Sequence, residues 1–103
     1  MRPRLSVPAQ TDVIDIYATG ARLFGVAQAD RYQDGLEAAF SFIADYPLAS
    51  REREGTKRPV RVHPYKSHVI VYAVLPEGVV ILRVRHGHED WANDPAGPDD
   101  LNI

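Results

Sequence analysis

Two periodicities divide this chain. Between Ala9 and about Tyr46 apolar residues recur every three or four positions, whereas from Val60 to His86 they alternate with polar ones or run on between short turns. The first pattern predicts helices. Val13, Ile16, Tyr17, Gly20 and Phe24 share one face of a first helix, for which Thr11 or Ser6 can serve as cap, while Asp12 and Asp15 suit its positive end. Gly25 is the expected C-terminal stop. A second helix from about Val26 to Tyr46 places Ala29, Tyr32, Leu36, Ala39, Phe40 and Ile43 on one stripe and Asp30, Asp34 and Glu37 on another, and Pro47 ends it. Gly35 costs that helix roughly 1 kcal/mol relative to alanine, and a close helix contact is the usual reason to keep one. So short a break between the helices predicts an antiparallel hairpin.

Ahead of the helices, PRLSV at 3–7 reads as a short strand stopped by Pro8. Residues 48–58 are charged, contain Gly55 and lack apolar periodicity, which makes them the principal loop. Beyond them the period becomes two. Val60 and Val62 alternate with Arg61 and His63, a turn at 64–67 leads to a strand from His68 to Leu75, and a turn at 76–78 leads to a last strand from Val79 to His86. Strands joined so tightly form an antiparallel meander, and the striped helices must bury against it. The expected fold class is α+β: a two-helix antiparallel hairpin packed on a small, mainly antiparallel sheet, in β-α-α-β-β-β order. Residues 1–91 form the expected domain. Residues 92–103, acidic and rich in Pro and Gly, read as a tail expected to be mobile, and Trp91 just before it has the apolar area to dock on the body.

Composition adds a charge division. The net charge of −2 over 103 residues is ordinary, but residues 51–86 carry eight basic against three acidic side chains, residues 5–50 two against six, and the stretch from Glu89 onward five acids and no Lys or Arg. Such asymmetry points to an anionic or acidic partner, or to a tail that folds back on the basic half. Cysteine is absent, which excludes disulfides and thiolate metal sites and fits a reducing cytoplasm. No apolar run approaches the roughly 20 residues that span a bilayer, and no secretory h-region follows the N-terminus, so no membrane partner is expected.

Catalytic templates find no match: there is no Gly-rich phosphate loop, no G-x-S-x-G and no H-E-x-x-H. His86-Gly87-His88 with Glu89 and Asp90 comes nearest to a metal pattern, but it lacks the third or fourth ligand at characteristic spacing and is better read as a surface turn; no metal and no cofactor are expected. His68 shares a strand face with Ile70, Tyr72 and Val74, which favours a hydrogen-bonded structural role over a general base, and Tyr72 reads as core with its hydroxyl on a polar partner. The collective feature is Arg61, His63, Arg83 and Arg85 on neighbouring strands. If the register brings them to one side, they can grip phosphates or the carboxylates of an acidic segment; otherwise they form a solvated, salt-bridged face.

The order of particular residues carries a resemblance. Ala9, Asp12, Ile16 and Tyr17, then Phe24-Gly25 with Gln28, Ala29 and Tyr32, then Leu36 and Pro47, then Arg61, SHVIVY at 67–72 and ILRVRHGHEDW at 81–91 are together similar to the ParE branch of the RelE/ParE toxin superfamily, over roughly residues 4 to 91. The resemblance implies the toxin half of a bacterial type II toxin–antitoxin module, neutralised by a cognate ParD-like antitoxin and acting in the cytoplasm. ParE-like members poison DNA gyrase without being enzymes; RelE-like members cut mRNA on the ribosome. Cutting through a 2'-hydroxyl needs a base, an acid and cations at the phosphate, which RelE-like members supply with a basic sheet and often a C-terminal tyrosine. Here the last tyrosine is Tyr72 and the only sheet lysine is Lys66, in a turn, although His86 and His88 could substitute. Ser50 stands where many relatives have glycine, and the acidic extension past Trp91 is longer than the core requires.

On this resemblance, Arg58, Arg61, Arg83 and Arg85 are expected to engage the antitoxin's acidic segment, with His86 and Trp91 fixing the tail's departure from the sheet. Tyr17 and Phe24 are expected in an apolar groove that accepts an antitoxin helix. Direct sequence-specific nucleic-acid binding by the chain alone is not expected.

Overall fold

Ser6 decides where the first helix starts. In the computed structural model, whose described residues are 3–53 and 59–87, strand β1 (Arg4–Leu5) ends just before it and helix α1 (Val7–Phe24) begins just after it. The Ser6 hydroxyl accepts a 3.1 Å hydrogen bond from the Ala9 amide as N-cap and donates one of 2.6 Å to the Leu82 carbonyl. Pro8 therefore lies in the first turn of α1 instead of ending a strand, because a first-turn amide has no helical partner to lose.

Gly25 joins α1 to helix α2 (Val26–Asp45). Its amide donates to the Ala21 carbonyl and its carbonyl accepts from the Ala29 amide, both at 3.1 Å, so one residue closes one helix and opens the next. Its φ of 92° is a conformation that glycine adopts at little cost. Tyr17 ties the helices together by donating to Asp30 Oδ1 at 2.6 Å.

Four further strands complete the sheet: β2 (Glu52–Arg53), β3 (Val60–Tyr65), β4 (His68–Leu75) and β5 (Gly78–His86). Their spatial order is β1-β5-β4-β3-β2, antiparallel except for the β1–β5 pair. The expected meander is present. Two differences from the sequence reading have simple causes: β2, only two residues long, lies inside the expected loop because so short a strand carries no period, and Pro64 belongs to β3 rather than to a turn. Since β2 pairs only with Val60 and Arg61, Pro64 sits on an edge, where a missing N–H is tolerated.

The helices cover one sheet face. Ala9 of α1 and Leu36, Phe40 and Ile43 of α2 pack on Ile70, Tyr72, Ile81 and Val84, and burying each large apolar side chain contributes about 1.5–3 kcal/mol. Tyr72 is fully buried, with its hydroxyl donating to the Pro47 carbonyl at 2.8 Å, as its place in the strand predicts. Gly35 is kept by a close contact with a strand residue and not with the other helix: a Cβ there would overlap the Tyr65 hydroxyl and lie 2.9 Å from Tyr65 Cζ.

A β-bulge then sets the faces of β5. Pairing with β4 runs from Leu75↔Gly78 to Tyr72↔Ile81, passes over Leu82, and resumes at Val71↔Arg83 and Ile70↔Val84. The extra residue inverts parity, so Val84 joins Ile81 on the helix side although three positions separate them.

Candidate functional site

The expected convergence of Arg61, His63, Arg83 and Arg85 does not occur. Arg61 is opposite Tyr72, and Arg83 is opposite Val71; those two residues are neighbours on β4 and point to opposite faces. Arg61 and His63 therefore lie on the helix side and Arg83 and Arg85 on the other, a separation produced by the bulge at Leu82. Arg61 donates to the Ser50 carbonyl at 2.6 Å and lies 3.8 Å from Glu52, holding the segment that leads out of α2. His63 stacks against Phe42 with centroids 5.6 Å apart, and burial pushes its pKa below the ordinary 6.5. Arg58 and Trp91, also expected at the interface, and His88, Glu89 and Asp90 of the weighed metal pattern lie outside the described residues, as does the tail 92–103.

A different constellation forms between the helix hairpin and β5. Strand β1 pairs only with Val80 and Ile81, so the rest of that β5 edge would lack partners. Ser6 and Asp12 supply them. The Ser6 amide donates to the Ile81 carbonyl at 2.9 Å, its hydroxyl takes the Leu82 carbonyl, and Asp12 Oδ2 accepts the Val84 amide at 2.9 Å. The same carboxylate holds Arg83 through two bonds, Nε to Oδ2 at 2.7 Å and Nη2 to Oδ1 at 2.9 Å. This fork-to-fork pair fixes the distance between α1 and the end of β5.

That spacing leaves a groove of about 640 Å³. Ile16, Gly20 and Ala29 line its base, Leu23 and Phe24 its rim, and Tyr32, His68, Val84 and His86 its strand-side wall. Leu23 and Phe24 are 61% and 64% exposed, an unusual state for adjacent large apolar side chains. Phe24 ends the face of α1 that it shares with Ile16 and Gly20, at the hairpin tip. Tyr17 and Asp15 complete one edge.

The wall is a connected set of rings. Tyr32 Oη lies 2.7 Å from His68 Nδ1, and burial raises the Tyr32 pKa, which keeps the phenol protonated and able to donate to that nitrogen. His68 and His86 are cross-strand partners with ring centroids 5.3 Å apart, and Tyr65 meets Tyr32 edge-on at 5.1 Å. Lys66 lies 5.7 and 5.6 Å from the Tyr32 and Tyr65 ring centres, within cation–π range. His68 is thus hydrogen-bonded, as expected, although its partner comes from a helix and not across the ladder. Among the described residues no group of three or more His, Asp or Glu side chains could hold a metal, and no helix is long and apolar enough to cross a membrane.

Of the expected interface residues, Tyr17, Phe24 and His86 line the groove. Asp12, Ile16, Leu23 and Tyr32 belong with them but were not singled out as interface residues. Leu23 breaks the helical stripe, and this departure was the one signal of its exposure available in the sequence.

Comparison with known proteins places this geometry. Residues 4–91 match the model of the family described as ParE toxin of type II toxin-antitoxin system, parDE. The chain is 36% identical over 87 residues to Toxin ParE1 of Caulobacter vibrioides, an alignment covering 84% of this chain and 90% of that protein. A solved structure, the chromosomal ParDE TA system from P. aeruginosa, matches with a TM-score of 0.71 and 16% identity over 84% of this chain and 95% of that one, a likeness of fold.

Proposed function

Since the chain belongs to the ParE toxin family of type II toxin–antitoxin systems, we propose that a cognate ParD-like antitoxin neutralises it by laying an amphipathic helix in the groove between its hairpin and β5, and that the freed chain acts in the cytoplasm on DNA gyrase without catalysing a reaction itself. The observation that carries the antitoxin part is the exposed Leu23–Phe24 pair opening onto Ile16, Gly20 and Ala29. A partner helix that inserts apolar side chains at three- and four-residue steps would cover these residues, the usual helix-in-groove mode. The two-residue β1 and the Asp12–Arg83 bond hold the groove open, so little has to be ordered on binding. The gyrase part rests on the resemblance in SHVIVY and RVRHGHED and on family membership.

The test is induction of the chain without antitoxin, with gyrase-dependent supercoiling, DNA breakage and transcript integrity followed in parallel. Broken DNA with intact transcripts supports the gyrase reading. Cleaved transcripts with intact DNA would assign the chain to ribosome-dependent cleavage, for which the adjacent His68 and His86 are the groups to substitute first. Unimpaired growth would identify an interaction domain without toxic action.

A further inference from the structure

The polar residues that line the groove are sorted by sign. No lining residue from α1 or α2 is basic, and none from β4, β5 or the turn before β4 is acidic. Asp12 commits its carboxylate to Arg83 and the Val84 amide. Asp15, on the α1 edge, keeps its own available: it is exposed and has no ion-pair partner among the described residues. Gln33 adds a second acceptor from the helices. Its Nε2 donates to Glu37 Oε1 at 3.4 Å, which fixes the orientation of the amide and leaves Oε1 without a donor. A side lined by acceptors calls for donors on whatever fills the groove.

The other edge carries a cation. Lys66, in the turn between β3 and β4, holds its ammonium 5.7 Å from the ring centre of Tyr32, which lines the groove, and 5.6 Å from that of Tyr65. It is exposed and likewise has no carboxylate partner among the described residues. Its φ of 50° is uncommon for a residue other than glycine or asparagine, and no other non-glycine among the described residues has a positive φ. The turn thus holds a lysine where the backbone suits glycine. What the lysine adds is an ammonium that two rings keep in place before a partner arrives.

Resting on the helix-in-groove reading, we propose that these two edges select the occupant by charge: the antitoxin helix sets Lys or Arg against the α1 edge, at Asp15, and Glu or Asp against the β3–β4 turn, at Lys66. Its apolar stripe supplies contact area, and its charged flanks supply discrimination, since a like charge on either edge is repelled. Turning a helix end for end exchanges its flanks, so the same polarity also fixes the direction in which the helix lies.

Three synthetic helical peptides with the same leucine stripe test this: one with Lys on one flank and Glu on the other, one with Lys on both, and one with Glu on both. Titrated calorimetrically into the full chain at low salt, the mixed peptide should bind tightest, by about fivefold. Lys66→Glu should pass first place to the all-Lys peptide, and Asp15→Lys to the all-Glu peptide. Arg51→Glu changes net charge as Lys66→Glu does, but Arg51 does not line the groove, so the mixed peptide should stay first. One ranking shared by the parent and both edge variants would overturn the proposal, as would an Arg51→Glu shift equal to that of Lys66→Glu, while the helix-in-groove reading survives. That reading falls separately, and the proposal with it, if no peptide binds or if Phe24→Asp leaves all three affinities unchanged.

Discussion

Asp12 of the first helix and Arg83 of the last strand are joined by two hydrogen bonds of 2.7 and 2.9 Å, and the same carboxylate takes the Val84 amide at 2.9 Å. Three donors thus converge on one side chain that is 14% exposed. The pair couples the helix hairpin to the end of β5, beyond the Val80 and Ile81 positions that β1 covers, and so sets the width of the groove.

Removing this acceptor leaves a guanidinium and an amide without their partner. Asp12→Ala should lower unfolding free energy by about 2 kcal/mol, whereas Asp12→Asn, which can still accept from the Val84 amide, should lose about half as much. Urea denaturation with an unchanged m-value checks this; a loss below measurement in both variants would mean that the pair is solvated and idle.

Gly35 tests the contact between the second helix and the hairpin turn of the sheet. A methyl group there must displace the Tyr65 ring, so Gly35→Ala should destabilise by about 1–3 kcal/mol, although alanine is the better helix former. Combining it with Tyr65→Ala should cost less than the sum of the two single changes, a coupling read from a double-mutant cycle.

His63 gives a pH signature. Its folded pKa is depressed by burial, so the unfolded chain takes up the proton first; full stability is present above the ordinary value of 6.5 and is lost as pH falls through the folded value. The stability difference between the parent and His63→Gln should therefore change between neutral pH and about pH 5, in the direction of relative gain for the variant at low pH. Parallel curves would show that His63 titrates as it does in the unfolded chain.

Phe24 separates binding from folding. Being largely exposed, it contributes little to the core, so Phe24→Asp should leave the melting temperature within a degree or two while weakening a ParD-like antitoxin by at least about tenfold, or 1.4 kcal/mol. Calorimetric titration of the two proteins measures both; unchanged affinity would remove the groove from the antitoxin interface. The paired Arg61→Ala change, remote from the groove on the held segment after α2, should affect stability more than affinity.

The helical stripe of Leu36, Phe40 and Ile43, the glycine that turns between the helices and the alternation of His68, Ile70 and Tyr72 were all determined by the order of residues, because each depends on neighbours within a turn of helix or a few strand positions. Three things were settled by packing. The two-residue β2, inside the expected loop, exists only because a longer strand receives it. The first-turn place of Pro8 follows from a serine that caps a helix and bonds to Leu82 in the same step. The faces of Arg83 and Arg85 follow from one extra residue at Leu82, since the run Val79-Val80-Ile81-Leu82 is apolar throughout and carries no mark of where alternation is interrupted. A bulge is a compromise between the cores on the two sides of a sheet, and such a compromise has no signature in a pattern read one strand at a time.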